Sequence, residues 1–363
     1  IEETSPADGS ITEDQIVSAG LESAVNGIST QMTQGYLVYG TNTHESDMSY
    51  PMFMISFTEM MGDMYPGGSN SGYDWFRAYN CMNENMGSTG YYAYLPWRTL
   101  YMYVKSANDV IRAYKAMENP TKTDDNYVAM AYAYRAFDYY MLMVTYEPKA
   151  NIYTDCSKVL GLTVPIVTDE TTEKESANNP RVTHEEMMKF ILADLDKAEE
   201  YLAGYERPDK TTPDVSVVYG LKARAYLVMG KWDKAEEYAK KAQAGYSVMS
   251  SAEYTDRETG FNTPNEAWMF CVTYKDTDPC IKFNDADTSW GSQMSLEINP
   301  DKDVSACGYA ANYGDAKLID RHLYETIPAT DCRKKCFVDF STNDMEGTEL
   351  ENKLKEYSDY PTW

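Results

Sequence analysis

The chain has 363 residues, enough for one or two domains with a sizeable core, so its stability requires neither a disulfide nor a metal ion. Its 57 acidic residues outnumber its 32 basic ones, and the net charge of −25 argues against nucleic-acid binding and polybasic docking on anionic lipid. The 32 Tyr favour a recognition surface, whereas only 3 His leave little material for histidine metal sites or general-base catalysis.

The N-terminal quarter divides into a helix and a long irregular segment. Residues 11–35 are predicted to be helical, because Thr12 can cap the helix and apolar residues then recur at helical spacing. Between about 35 and 94 this periodicity fails, and Gly residues interrupt a segment rich in Tyr, Met and Asn. A long loop with this aromatic content is typical of a functional surface.

Helical periodicity returns after residue 95 and continues to about residue 245. The loop 147–182 contains a short apolar piece, residues 162–167, that is predicted to be extended. Thr183 and Glu186 form a predicted capping box, and Gly230 and Gly245 are suitable residues to follow the ends of helices. The predicted helices span 96–118, 125–146, 184–203, 214–229 and 231–245, and later residues are predicted to be loops with scattered helices such as 315–326.

The last two of these five helices carry a tetratricopeptide-like signature, in which small residues let paired helices approach closely. Ala235 is its most restrictive position, because a larger side chain would push the two helices apart. Trp97, Trp232 and Trp268 are predicted to lie in the core. The signature residues are Tyr219, Ala223, Tyr226, Gly230, Trp232, Ala235, Ala239 and Ala242. The predicted fold is mostly all-α, a right-handed scaffold of helical hairpins with long irregular loops and little β structure.

An ordered series of short motifs resembles the SusD/RagB family of outer-membrane nutrient-binding lipoproteins of Bacteroidetes. The resemblance is clear over about 95–275 and extends to about 340. The motifs read WRTLY at 97–101, ANDVI at 107–111, AYAYRAFDY at 131–139, GLTVPIVT at 161–168, RVT at 181–183, ILADLDKA at 191–198, LKARAYL at 221–227, WDKA at 232–235, NE at 265–266 and DCR at 331–333.

The resemblance implies one domain in three parts: an N-terminal helix and aromatic loop over 1–94, the helical scaffold over 95–250, and a loop-rich ligand-binding region over 251–363. It further implies a lipid-anchored protein of the cell surface that binds an oligosaccharide or another nutrient, is not an enzyme, and passes its ligand to a SusC-like TonB-dependent transporter. Family members are usually longer, so we expect this chain to be C-terminally incomplete or a short variant. The sequence does not include the N-terminal Cys that bears the lipid in family members, as expected if it begins just after that residue.

Two loops, 62–94 and 274–314, are predicted to form the sugar platform, because sugars present an apolar face to aromatic rings and hydroxyl groups to polar side chains. Trp75 and Trp290 are the leading candidates, since their Gly, Ser and Asn neighbours offer little local core. The predicted ligand-binding residues are Tyr73, Trp75, Arg77, Tyr274, Trp290, Tyr309, Asn312 and Tyr313.

Two other functions stay open at this point. A tetratricopeptide-type adaptor would bind a peptide or protein partner in the helical groove around Tyr226 and Trp232, and a hydrolase would depend on a loop carboxylate. No cofactor is predicted, although Asp285 and Asp287 leave a loose calcium site open. The seven scattered Cys form no disulfide framework or zinc motif.

Overall fold

The computed structural model describes residues 20–33, 50, 64–66, 91–152, 154–256, 259–260, 263–275, 277–278 and 317–336. The described part is mostly helical, as predicted. Its helices are α1 (Leu21–Gln31), α2 (Tyr91–Lys115), α3 (Lys122–Tyr146), α4 (Glu173–Ser176), α5 (His184–Tyr201), α6 (Val215–Val228), α7 (Trp232–Gln243), α8 (Ser251–Thr255) and α9 (Arg321–Thr326), followed by a 3-10 helix (Cys332–Cys336). Two short strands, β1 (Met64–Pro66) and β2 (Lys317–Ile319), complete the elements.

The chain divides into two compact units. Unit 1 comprises residues 1–31, 96–247 and 265–272, and contains α1, most of α2, and α3 to α7. Unit 2 comprises residues 32–95, 248–264 and 273–363. In unit 2, β1 pairs antiparallel with β2, with Tyr65 opposite Leu318. The three-part division at residues 94 and 250 stays a prediction.

Helix α3 is the centre of unit 1. Residues on all its sides are buried, which explains why it lacks a clear polar face. Its N-terminus is closed by a capping box between Thr121 and Asp124. It packs against α1 and α5, and it forms an antiparallel hairpin with α2, in which Tyr114 hydroxyl donates to Asp125 Oδ1 at 2.6 Å.

The second half of unit 1 continues with antiparallel neighbours. The predicted capping box of α5 is confirmed, because Thr183 and Glu186 exchange both hydrogen bonds. Helices α6 and α7 follow α5 in the chain and pack against each other as a hairpin. Ala235 is buried, as the repeat signature predicted. Gly230 has φ +67°, a left-handed conformation that lets the chain turn sharply between the two helices.

The structure also differs from the sequence-based prediction at several elements. Helix α2 begins at Tyr91, so Pro96 lies inside the helix rather than at its start. The loop after α3 contains the one-turn helix α4, which apolar periodicity could not reveal because its four residues are all polar or charged. Residues 317–319, predicted to begin a helix, form β2 instead. Within the predicted helix 11–35, only residues from 20 to 33 are described, and α1 ends at Gln31.

Candidate functional site

One of the eight residues of the predicted sugar platform lies within the described part of the chain. Tyr274 is described, belongs to unit 2, and has 39% of its surface exposed. The other seven predicted residues lie outside the described residues, and so do Asp285 and Asp287 of the loose calcium site. Those residues are Tyr73, Trp75, Arg77, Trp290, Tyr309, Asn312 and Tyr313. The platform therefore stays a prediction.

A buried ionic cluster lies where α2, α3 and α5 meet. The guanidinium of Arg135 donates two hydrogen bonds of 2.8 Å to the two carboxylate oxygens of Asp194. It also donates to Asn108 Oδ1 at 2.7 Å and to Asp169 Oδ1 at 3.2 Å. Burial opposes the charge of Arg135, but these hydrogen bonds and nearby carboxylates raise its pKa. The cluster therefore keeps its cation inside the protein.

The carboxylates of this cluster respond differently to burial. Burial raises the pKa of Asp194, although Arg135 opposes the shift. Burial alone would also raise the pKa of Asp169, but Lys115 at 2.6 Å and Arg135 hold it below its usual value. Asp169 is therefore paired twice, whereas Arg135 is the one ion-pair partner that the described residues provide for Asp194.

Side chains of α2 and α3 anchor a non-helical segment, residues 162–169, along the surface of these two helices. Tyr101 hydroxyl donates to Pro165 O at 2.6 Å, and Asn108 Nδ2 donates to Val167 O at 3.0 Å. Tyr139 hydroxyl donates to Val167 O at 2.8 Å and accepts from Val167 N at 2.7 Å. The backbone groups of this segment have no neighbouring strand to bond with, and these side chains of the helices provide their hydrogen-bond partners instead.

The segment therefore occupies the surface that the first helical hairpin would present to an extended peptide. Val164 and Thr163 are buried there, and Arg181 Nη1 donates to Thr163 O at 2.7 Å. A β-bridge between Leu162 and Thr183 fixes the segment's entry beside α5. The piece predicted to be extended, residues 162–167, contains no helix and makes a β-bridge at Leu162, and this part of the helical scaffold is filled by the chain itself.

The α6–α7 hairpin contains a cluster of tyrosines. Tyr226 and Tyr238 are stacked with ring centroids 5.5 Å apart, and Tyr219 lies 6.0 Å from Tyr238. The ammonium group of Lys222 lies 5.1 Å from the centre of the Tyr238 ring and pairs with Asp196 of α5 at 2.6 Å. The three tyrosines are half-buried and make contacts within the scaffold, which is a packing role.

The prediction that Trp232 lies in the core is wrong. Trp232 begins α7 and has 66% of its surface exposed. The turn before it explains the exposure: Lys231 N donates to Tyr226 O, and Gly230 N donates to Leu227 O, the paired hydrogen bonds of a Schellman motif. This turn reverses the chain and leaves Leu227 and Trp232 exposed at its tip.

The described residues contain no group of three or more His, Cys, Asp or Glu side chains that could hold a metal ion. Each described helix falls short of the length or apolar character needed to cross a membrane. His184 is engaged in unit 1, where its Nδ1 lies 2.9 Å from Glu147 Oε2. The ionisable clusters described here are therefore accounted for by helix packing and loop anchoring.

Comparison with known protein families matches residues 25–227 to the SusD-like family, described as starch-binding and associating with the outer membrane. The match covers more than half of the chain and spans the scaffold from α1 to α6. The chain belongs to the SusD-like family. The resemblance drawn from the ordered motifs is thereby confirmed. No curated protein sequence matches the chain.

Solved structures agree with this assignment. A SusD-like carbohydrate-binding protein from Bacteroides vulgatus is 23% identical, with a TM-score of 0.64 over 88% of this chain and 60% of that one. A SusD superfamily protein from Bacteroides fragilis is 19% identical, with a TM-score of 0.58 over 88% of this chain and 67% of that one. Surface glycan-binding protein A from Bacteroides thetaiotaomicron, in complex with laminarihexaose, is 16% identical, with a TM-score of 0.57 over 87% of this chain and 62% of that one.

These likenesses establish the fold. The chain spans about three fifths of the length of the first two structures that it matches. Sequence reasoning identified the motifs that carry Arg135 and Asp194 but not their pairing. The available signal was a run over 128–143 that is apolar and aromatic except for Arg135 and Asp138, where a buried charge requires a partner.

Proposed function

We propose that this SusD-like protein binds oligosaccharides at the cell surface without cleaving them and delivers them to a SusC-like TonB-dependent transporter. The observation that carries the proposal is the family match over residues 25–227, because that family is described as starch-binding and associating with the outer membrane. A structurally similar protein was solved in complex with laminarihexaose, which supports a glucan as the first ligand to test.

The competing adaptor function has less support. An adaptor needs an open groove for an extended peptide, but residues 162–169 already occupy the surface of α2 and α3 through bonds to Pro165 and Val167. Around the second hairpin, Tyr226 stacks on Tyr238 within the scaffold. A peptide would have to displace bonded backbone groups at about 1–3 kcal/mol for each one left unpaired.

The proposed sugar platform remains the one predicted from the two aromatic loops. Trp75 and Trp290 would stack on the apolar faces of sugar rings, and Arg77 and Asn312 would hydrogen-bond hydroxyl groups. Tyr274 is exposed enough to take part.

Isothermal titration calorimetry against laminari-, malto- and xylo-oligosaccharides tests the binding. We expect dissociation constants in the millimolar to micromolar range and loss of binding in the double variant Trp75→Ala with Trp290→Ala. Trp232→Ala is the matched control, because it removes an exposed Trp outside the platform. Absence of binding across the panel would refute oligosaccharide binding, and unchanged binding by the double variant would remove the proposed platform.

Catalysis and delivery need separate measurements. Chromatography of each oligosaccharide after prolonged incubation should show no shorter products; cleavage that depends on one loop carboxylate would favour the hydrolase. For delivery, the protein is expressed together with a SusC-like transporter, and we expect the two to purify together from solubilised outer membranes. Separation of the two under mild detergent conditions, together with unimpaired uptake in a strain that lacks this protein, would contradict delivery.

A further inference from the structure

Exposed apolar side chains are concentrated on two projections of unit 1. The first is the loop that follows α3, where Ile152 has 90% of its surface exposed and Val159 and Leu160 are also exposed. The second is the turn between α6 and α7, with exposed Leu227 and Trp232. Neither group has a role in the ionic cluster, the anchored segment or the predicted sugar platform. We call them the α3 loop tip and the hairpin tip.

Both tips lie at the same end of unit 1. The α3 loop tip lies at the N-terminus of α5, because Glu147 Oε2 is 2.9 Å from His184 Nδ1, and His184 N donates to Gly161 O at 2.9 Å. Helix α6 runs antiparallel to α5. Arg207, just beyond the C-terminus of α5, pairs with Asp214 at the start of α6 at 3.1 Å.

The middle of α6 confirms this direction, since Lys222 pairs with Asp196 in the second half of α5 at 2.6 Å. The C-terminus of α6 and the hairpin tip therefore point towards the end at which α5 begins. The two tips are separate projections from that end, rather than parts of one flat patch on a helix face.

The charge of this end differs from that of the chain. The exposed charged residues of both tips and of the first two turns of α5 include more basic than acidic side chains, although the chain carries a net charge of −25. The basic ones are Lys149, Lys158, Arg181, Lys189, Arg224, Lys231 and Lys234, and the acidic ones are Asp155, Glu185, Glu186, Asp233 and Glu236. Of these, Lys158, Lys189, Arg224 and Lys231 make no ion pair within the described part of the chain.

We propose that this end of unit 1 docks on a lipid surface, with Ile152, Leu227 and Trp232 entering the headgroup region and the surrounding Lys and Arg contacting phosphates. Exposed apolar side chains that are accompanied by an excess of basic side chains are suited to an interface that is apolar inside and anionic at its surface. The total charge does not prevent this, because charges more than about 8 Å away are largely screened at physiological salt. The family's association with the outer membrane is consistent with such a contact.

Flotation with vesicles tests the proposal. Vesicles of phosphatidylcholine alone are compared with vesicles containing equal parts of phosphatidylcholine and phosphatidylglycerol. We expect several-fold stronger binding to the anionic vesicles, reduced by added salt. The double variant Ile152→Asp with Trp232→Asp should weaken that binding at least tenfold, and circular dichroism should show an unchanged fold because both side chains are exposed.

Val248→Asp is the matched control, since Val248 is 94% exposed and follows the opposite end of α7 in the chain; its binding should equal that of the unmodified protein. Binding to neither vesicle, or equal loss in the control, overturns the proposal. The proposal is also overturned if the double variant binds vesicles as well as the unmodified protein does but no longer purifies with the transporter, because this end would then contact a protein. Calorimetry with oligosaccharides is run in parallel, so that failure of sugar binding is distinguishable from failure of lipid docking.

Discussion

Removing the cation of the buried cluster should be among the most damaging single changes in unit 1. In Arg135→Met the apolar stem is kept and the guanidinium is lost. The side chain of Asp194 is only 6% exposed and loses both of its 2.8 Å hydrogen bonds. Asp169 is also buried, but it keeps Lys115 at 2.6 Å. One buried carboxylate is therefore left without a partner, which costs about 3–5 kcal/mol of unfolding free energy.

Urea unfolding followed by circular dichroism measures this loss. Because burial raises the pKa of Asp194 and Arg135 opposes that shift, removing Arg135 raises the pKa further. A raised folded-state pKa means that stability is retained at low pH and lost as the pH rises through that pKa. The difference between variant and unmodified protein should therefore shrink from pH 7 to pH 5.

Two comparisons make the result interpretable. Arg333→Met removes an exposed guanidinium that pairs with Asp331, and should cost less than about 1 kcal/mol. The double variant Arg135→Met with Asp194→Leu should recover most of the loss, since the carboxylate of Asp194 that Arg135→Met leaves unpaired is then absent. The reasoning is refuted if Arg135→Met costs no more than Arg333→Met, or if the second substitution recovers nothing.

Three further predictions concern unit 1 and are measured by urea unfolding. Asp138 is buried, its burial raises the pKa of the carboxyl group, and neither carboxylate oxygen has a hydrogen-bond partner among the described residues. Asp138→Leu should therefore stabilise the protein by about 1–3 kcal/mol at pH 7, and a loss of stability would indicate a partner. Gly230→Ala should lower the free energy of unfolding by about 1–2 kcal/mol, because φ is +67° and a residue with a Cβ is strained in this left-handed conformation. An unchanged free energy of unfolding would mean that the turn relaxes. Burial alone would raise the pKa of Glu147, but His184 and Lys149 lower it, so its stabilising effect is lost as the pH falls through that lowered pKa. In Glu147→Gln the free energy of unfolding should therefore fall less steeply as the pH is lowered. An unchanged pH dependence would contradict the pairing of Glu147 with His184 and Lys149.

The tyrosine content illustrates how far composition leads. It suggested a recognition surface, but Tyr103, Tyr132, Tyr134 and Tyr139 are buried in unit 1. Composition cannot distinguish a ring that packs in a helical core from one that binds a ligand, because both uses depend on the same apolar area. Tyr139 shows a third use, since its hydroxyl bonds both backbone groups of Val167.

Sequence by itself determined the helical order, the cap at Thr183, the turn at Gly230 and the family, because these depend on local spacing and backbone preference. The tertiary structure decided the pairing of Arg135 with Asp194, since those residues lie 59 positions apart in the chain. It also decided the exposure of Trp232. The position of Trp232 in the repeat signature determines only where the side chain lies on its own hairpin. Its burial depends on which other elements of the fold cover that position.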